Sequence, residues 1–225
     1  MKAKAVWTIS AQRGTGGTRL ATELATAADV PLLDREALAL FAHEIDPDFP
    51  EVDELEGRLG GRLNTLALST AITAGSVDAF REIELRQKLP DLGRAVVAEA
   101  ARSPCVIYVP AAFAALPQHP SAVHVRLWAP FEWRIASYRR ENVVDRRGAE
   151  KALKQDDHSK RAWVKSLYRV DIDDPRLFSL VLDASRFSPQ RLLETLLAAG
   201  GVEAAVAVGG DQQPPRRALD RSAEG

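Results

Sequence analysis

The chain reads as an α/β protein, a parallel sheet flanked by helices, and three observations predict it. Short runs of β-branched and aromatic residues alternate with stretches of helical periodicity along almost the whole length, as in strands joined by helical crossovers. The first such run, Val6-Trp7-Thr8-Ile9-Ser10, passes straight into a turn holding Gly14, Gly16 and Gly17 and then a helix start. Polar residues stand where strands end, at Ser10, Asp34 and Asp183, on the side of an open α/β sheet where ligands bind.

Taken in order, the elements follow from pattern and punctuation. After the first strand, Leu20, Ala21, Leu24 and Ala28 recur at helical spacing. Val30 to Asp34 reads as a second strand, 35–44 as a helix and 46–57 as a polar loop. Residues 58–74 and 77–102 are helical in pattern, the second stretch divided by Pro90 and Gly93. Cys105 to Val109 and Ala122 to Leu127 are buried strands, separated by a short helix over Ala111 to Leu116 and a turn between Pro117 and Pro120. Phe131 to Glu141 is a helix, 148–168 a pair of helices rich in basic residues, Leu180 to Asp183 the last strand and Pro189 to Ala199 the closing helix. Residues 200–225, with Gly209-Gly210-Asp211-Gln212-Gln213-Pro214-Pro215, have the composition of a disordered tail.

Composition narrows the class. A chain of 225 residues, 46% hydrophobic and 27% charged, can bury one sizeable core. No run approaches the roughly 18 to 20 apolar residues of a membrane helix, and Met1-Lys2-Ala3-Lys4 leads into a strand too short for a signal peptide's apolar region. A cytoplasmic protein without a membrane partner is expected. The single cysteine, Cys105, lies in an apolar run and excludes a disulfide within the chain. A net charge of -1 offers no overall attraction to nucleic acid. Charge is uneven, however, with Arg134, Arg139, Arg140, Arg146, Arg147, Lys160 and Arg161 among the cations of 134–169. That segment is either the partner of a local polyanion or a solvated face of amphipathic helices.

The glycine turn carries the sharpest chemical signal. Unsatisfied amides at a helix start, with the helix dipole, favour an anion, and glycines let the main chain approach it. Against G-x-x-x-x-G-K-[ST] the match is partial: Ala11 holds the first glycine position, Gly16 the second, Gly17 the lysine position and Thr18 the hydroxyl position. The bland alternative is an ordinary glycine-rich strand-to-helix turn.

Three blocks of sequence resemble the cytidylate kinase-like family of P-loop nucleoside monophosphate kinases over nearly all of residues 5–199. Thr8-Ile9-Ser10-Ala11-Gln12-Arg13-Gly14-Thr15-Gly16-Gly17 is similar to its I-S-R-x-x-G-S-G-G loop, and Pro31-Leu32-Leu33-Asp34-Arg35-Glu36 to its P-Y-Y-D-R-E turn. The third block runs from Ala129-Pro130-Phe131-Glu132-Trp133-Arg134 through Lys160-Arg161-Ala162-Trp163 to Asp173-Asp174-Pro175 and Leu180-Val181-Leu182-Asp183. The resemblance implies a P-loop NTPase-type domain over 1–199, with a helical acceptor-side insertion at 58–102 and a basic lid at 134–169. It implies transfer of the ATP γ-phosphoryl group to a nucleoside monophosphate, CMP first, with Mg2+ bridging the phosphates. On that basis Arg13 and the amides of Gly14, Thr15, Gly16 and Gly17 would hold donor phosphates, and the Thr18 hydroxyl would ligand Mg2+. Arg134, Arg139, Arg140, Lys160 and Arg161 would close over them as the lid. Asp34 would hold metal-bound water or the acceptor, or else cap the following helix.

The sequence departs from the family in two places. The G-R pair expected after strand three is replaced by the uncharged Val109-Pro110-Ala111-Ala112-Phe113, so an acceptor-binding arginine must come from elsewhere, for instance Arg81 or Arg86. His158 stands where the family has an aspartate, just after Asp156 and Asp157. Arg13 or Arg19 is the candidate to replace the missing loop lysine. An active kinase and a catalytically inactive nucleotide-binding or partner-binding protein of the same fold both remain open.

Overall fold

The computed structural model describes residues 4–34, 36, 37, 91 and 93–202. Five parallel strands form one sheet in the order β2-β3-β1-β4-β5, with β1 at Val6–Ala11, β2 at Leu32–Leu33, β3 at Cys105–Ile107, β4 at Ala122–Trp128 and β5 at Leu180–Asp183. The central strand β1 is buried along its whole length, because its alternating side chains feed two cores. Trp7, Ile9 and Ala11 point to one face with Val106, Val125 and Leu127. Helices α1 (Gly17–Ala28) and α5 (Pro189–Ala199) cover that face through Leu20, Leu24, Leu192 and Leu196.

Trp7 is fully buried and its indole Nε1 donates to the Leu196 carbonyl at 2.8 Å. Gly200 ends α5 against the indole, where any Cβ would run into the ring. On the opposite face Val6, Cys105 and Ile107 pack beneath Val96, Val97 and Ala101 and the short helix α2 (Ala112–Ala115). Burial pushes the Cys105 thiol up to about 11, so the group sits there as a small apolar filler. His124 of β4 joins the same side of the sheet. Its Nε2 lies 3.1 Å from the Leu116 carbonyl, which can only accept, so Nδ1 at 2.8 Å from Thr8 Oγ1 accepts from the hydroxyl.

Helices α3 (Phe131–Glu141) and α4 (Arg146–Tyr168) follow β4. The sequence pattern suggests two helices over 148–168, but the chain forms one helix of 23 residues. No proline or glycine interrupts it after Gly148, Asp145 caps its start through Gly148 N, and Arg169 closes it in the left-handed region at φ 61°. At roughly 34 Å long, α4 packs at both ends: Ala149 and Leu153 against Ile135 of α3, and Val164 against Phe113 and Ile172. Among the described residues no helix is long and apolar enough to cross a membrane. Most of the segment 58–102, and 203–225 of the tail, lie outside the described residues, as do Arg81 and Arg86.

Candidate functional site

The site grows from the end of β1. Gly14 and Gly16 have φ of 84° and 76°, in the left-handed region that glycine enters without strain. Gly14 is needed on packing grounds as well, since a Cβ there would stand 2.9 Å from the Arg134 carbonyl oxygen. At Gly16 a Cβ would meet nothing within 4 Å, so this residue faces open space. Gly16 also begins α1, with no side-chain cap and no acid in the first turn. Open space before uncapped helix amides suits an anion. Thr15 is engaged internally: its amide and hydroxyl donate to the Gln12 carbonyl at 3.3 and 2.7 Å. The open amides therefore belong to the start of α1 and its glycines.

Two residues beside the loop extend it. The exposed Thr18 donates through Oγ1 to the Tyr108 hydroxyl at 3.3 Å. Burial is the main cause holding the Tyr108 phenol above its ordinary pKa, with Thr18 opposing it. A protonated phenol and an exposed threonine hydroxyl thus stand side by side where the loop meets α1.

Helix α4 is fastened to the underside of the loop by acids. Arg134 is 4% exposed; its two Nη atoms donate to Asp157 at 3.0 and 2.8 Å, and one also reaches the Arg13 carbonyl at 3.4 Å. Arg134, one of the residues expected in the lid, is buried here, and its bonds join α3, α4 and the loop. Asp156, one residue earlier in α4, lies 3.3 Å from Arg13 Nε and 2.9 Å from Lys160 Nζ. Lys160 Nζ also donates to the Ala11 carbonyl at 3.1 Å. Of the cations expected in the lid, Lys160 and Arg134 therefore reach the loop, Lys160 at the Ala11 carbonyl and Arg134 at that of Arg13.

A second cluster lies next to it. Arg126 of β4, opposite Ser10 in the register, donates to Asp173 at 2.7 Å and approaches the Ser10 hydroxyl at 3.5 Å. Arg161 donates to the other oxygen of Asp173 at 2.6 Å. Burial works to raise the Asp173 carboxyl, but hydrogen bonds from Arg161 and Arg126 outweigh it and hold the group below its ordinary value. Gln12, Arg126, Lys160 and Arg161 line a cavity of about 10 Å³, room for roughly one water. Arg126 was not singled out in the sequence, where it reads as one residue of a buried strand. The signal that could have found it is a lone arginine in an otherwise apolar run.

The remaining candidates spread out. Arg139 and Arg140, exposed on the last turn of α3, border an open hollow of about 470 Å³ beside Val143 and Val144. Arg19 turns along α1 to Glu23 at 2.6 Å. Asp34 accepts from the Ala37 amide at 3.0 Å, the capping role. His158 is exposed on α4, and Asp183 folds back on Ser185 in a local turn at 2.7 and 2.9 Å.

The profile of the cytidylate kinase-like family matches residues 6–186. None of the curated proteins matches the sequence. Among solved structures, an uncharacterized protein from Eubacterium ventriosum shares the fold with a TM-score of 0.60 at 15% identity, over 88% of this chain and 98% of that one. A gluconokinase from Sinorhizobium meliloti is similar at a TM-score of 0.49 and 12% identity, covering 89% and 94%. A shikimate kinase from Bacteroides thetaiotaomicron gives 0.46 and 15%, covering 87% and 98%.

Proposed function

The chain belongs to the cytidylate kinase-like family, and from that premise we propose that it transfers the γ-phosphoryl group of ATP to a nucleoside monophosphate, with CMP the first candidate. The observation that carries the reading is Gly16, left-handed, uncapped and open on the side where its Cβ would be. Phosphoryl transfer through a loose, in-line transition state asks the protein to place two anions and to neutralise charge. The α1 amides and Gly16 would place the donor phosphates. Thr18 would present its hydroxyl to Mg2+, whose charge would help neutralise the phosphates.

Arg139 and Arg140 are exposed and outside any ion pair among the described residues, as are Arg147 and Lys151, and would be free to turn toward a ligand. Arg126 and Arg161 converge on a carboxylate from two sides, as arginines do around a phosphate. Arg126 lies 3.5 Å from the Ser10 hydroxyl, which itself donates to the Pro110 carbonyl at 3.2 Å, near the place where the charge of the G-R pair is missing. That proximity supports an acceptor site with its arginines drawn from β4 and α4 instead of the end of β3.

The test is a coupled assay for ADP formation from MgATP with CMP, dCMP, UMP, AMP and GMP. Turnover with one of them is expected. ATP binding without turnover on any of the five would favour the inactive nucleotide-binding protein, a reading supported by the uncharged end of β3.

A further inference from the structure

The two departures of the glycine loop from its pattern interlock. A Cβ at Gly17 would collide with the Ala11 methyl and stand 3.0 Å from the Tyr108 hydroxyl. With alanine in place of the first glycine, no side chain fits at the lysine position, and the loop cannot carry its own ammonium.

An ammonium nevertheless reaches the loop. Lys160 Nζ lies 3.1 Å from the carbonyl of that same Ala11, and its side chain lines the small cavity with Gln12, the first residue after β1. The neighbouring guanidinium groups serve less well. Arg19 is turned away to Glu23, and Arg13 is half exposed and set over the Tyr138 ring at 5.9 Å. A lysine also matches the chemistry, being a compact point charge on a flexible stem. Asp156, one helical turn earlier, holds the ammonium at 2.9 Å, while Asp157 and Arg134 pin the same turn of α4 beneath the loop.

We infer that Lys160 is the phosphate-binding lysine of this loop, delivered across the fold from α4, and that it meets the β- and γ-phosphates of the nucleoside triphosphate. The inference rests on the nucleotide-binding reading above. It has a consequence that a loop-borne lysine lacks: the phosphate site is complete only while α4 rests on the loop.

The test measures MgATP affinity by calorimetry, with urea denaturation of each variant alongside. Lys160→Met should weaken binding about ten- to a hundredfold, the range for one charge-assisted contact, and should also lower the urea midpoint, because Asp156, 14% exposed, then keeps only Arg13 as a partner. Lys160→Arg should recover part of the loss. In the Lys160→Met background, Ala11→Gly with Gly17→Lys should recover at least tenfold, because the methyl that excluded the loop lysine is gone. Unchanged affinity in Lys160→Met overturns the inference and leaves nucleotide binding standing. A loss that neither Lys160→Arg nor the triple variant recovers also overturns it, in favour of a structural role. Absence of MgATP binding by the unaltered protein overturns both readings.

Discussion

Replacing Arg134 by methionine separates a brace from a lid residue. Methionine keeps the length and the apolar stem but withdraws the two hydrogen bonds to Asp157, at 3.0 and 2.8 Å. Asp157 is only 13% exposed, so its carboxylate is left without its partner and poorly solvated. Removing one member of a buried ion pair costs about 3 to 5 kcal/mol, whereas the bond to the Arg13 carbonyl, at 3.4 Å, is long and adds little. For a domain of this size each kcal/mol lowers the melting temperature by about 2 to 4 °C, so a fall of about 6 to 20 °C is expected. Urea denaturation of Arg134→Met, Asp157→Asn and the double variant forms a cycle. The double variant should lose less than the sum of the singles by more than about 1 kcal/mol. If Arg134→Met stays within about 1 kcal/mol of the parent, or the singles simply add, the pair does not hold α3, α4 and the loop together.

Two further predictions concern the end of α3 and the sheet. Arg139 and Arg140 are exposed on the last turn of α3; replacing both by alanine should leave stability within about 0.5 kcal/mol while turnover falls at least about a hundredfold, and equal losses in both would make them structural. His124 is neutral in the fold, and burial, the larger influence, holds its imidazole below the ordinary value. Its contribution to stability is therefore full above about pH 6.5 and drains away as pH falls below that, by at most about 1.4 kcal/mol per pH unit for one proton. Urea midpoints at pH 7.5 and 5.0 should drop less for His124→Gln than for the parent, and equal drops would contradict the assigned hydrogen bonds.

Local pattern made much of the fold legible. The β-branched and aromatic run Val6 to Ser10 predicts a strand, which the structure buries along its whole length, and the apolar spacing of Leu20, Leu24 and Ala28 predicts the buried side of α1. Boundaries at Phe131–Glu141 and Pro189–Ala199 follow from prolines and caps that act within a few residues. The division of 148–168 failed because dense charge resembles a break, yet helix continuity needs only the absence of proline and glycine.

At the site, glycine identity exposed Gly14 and Gly16, since only the backbone is at issue. Side-chain partnerships were not legible. Arg134 looks like any cation of a basic helix until Asp157, 23 residues away, is seen to bury it. Arg126 and Asp173 meet across 47 residues, and Lys160 finds Ala11 across 149. Only the topology brings such pairs together, so charge counting marked the segment without sorting its members.

Gly16→Val bears most directly on the claim that this loop grips a nucleotide's phosphates. Valine at φ 76° strains the turn, while its side chain projects into space that the protein itself leaves open. Calorimetric titration of MgATP into the parent and into folded Gly16→Val should show binding in the first and none in the second. Equal binding by both would place the nucleotide somewhere else on the protein.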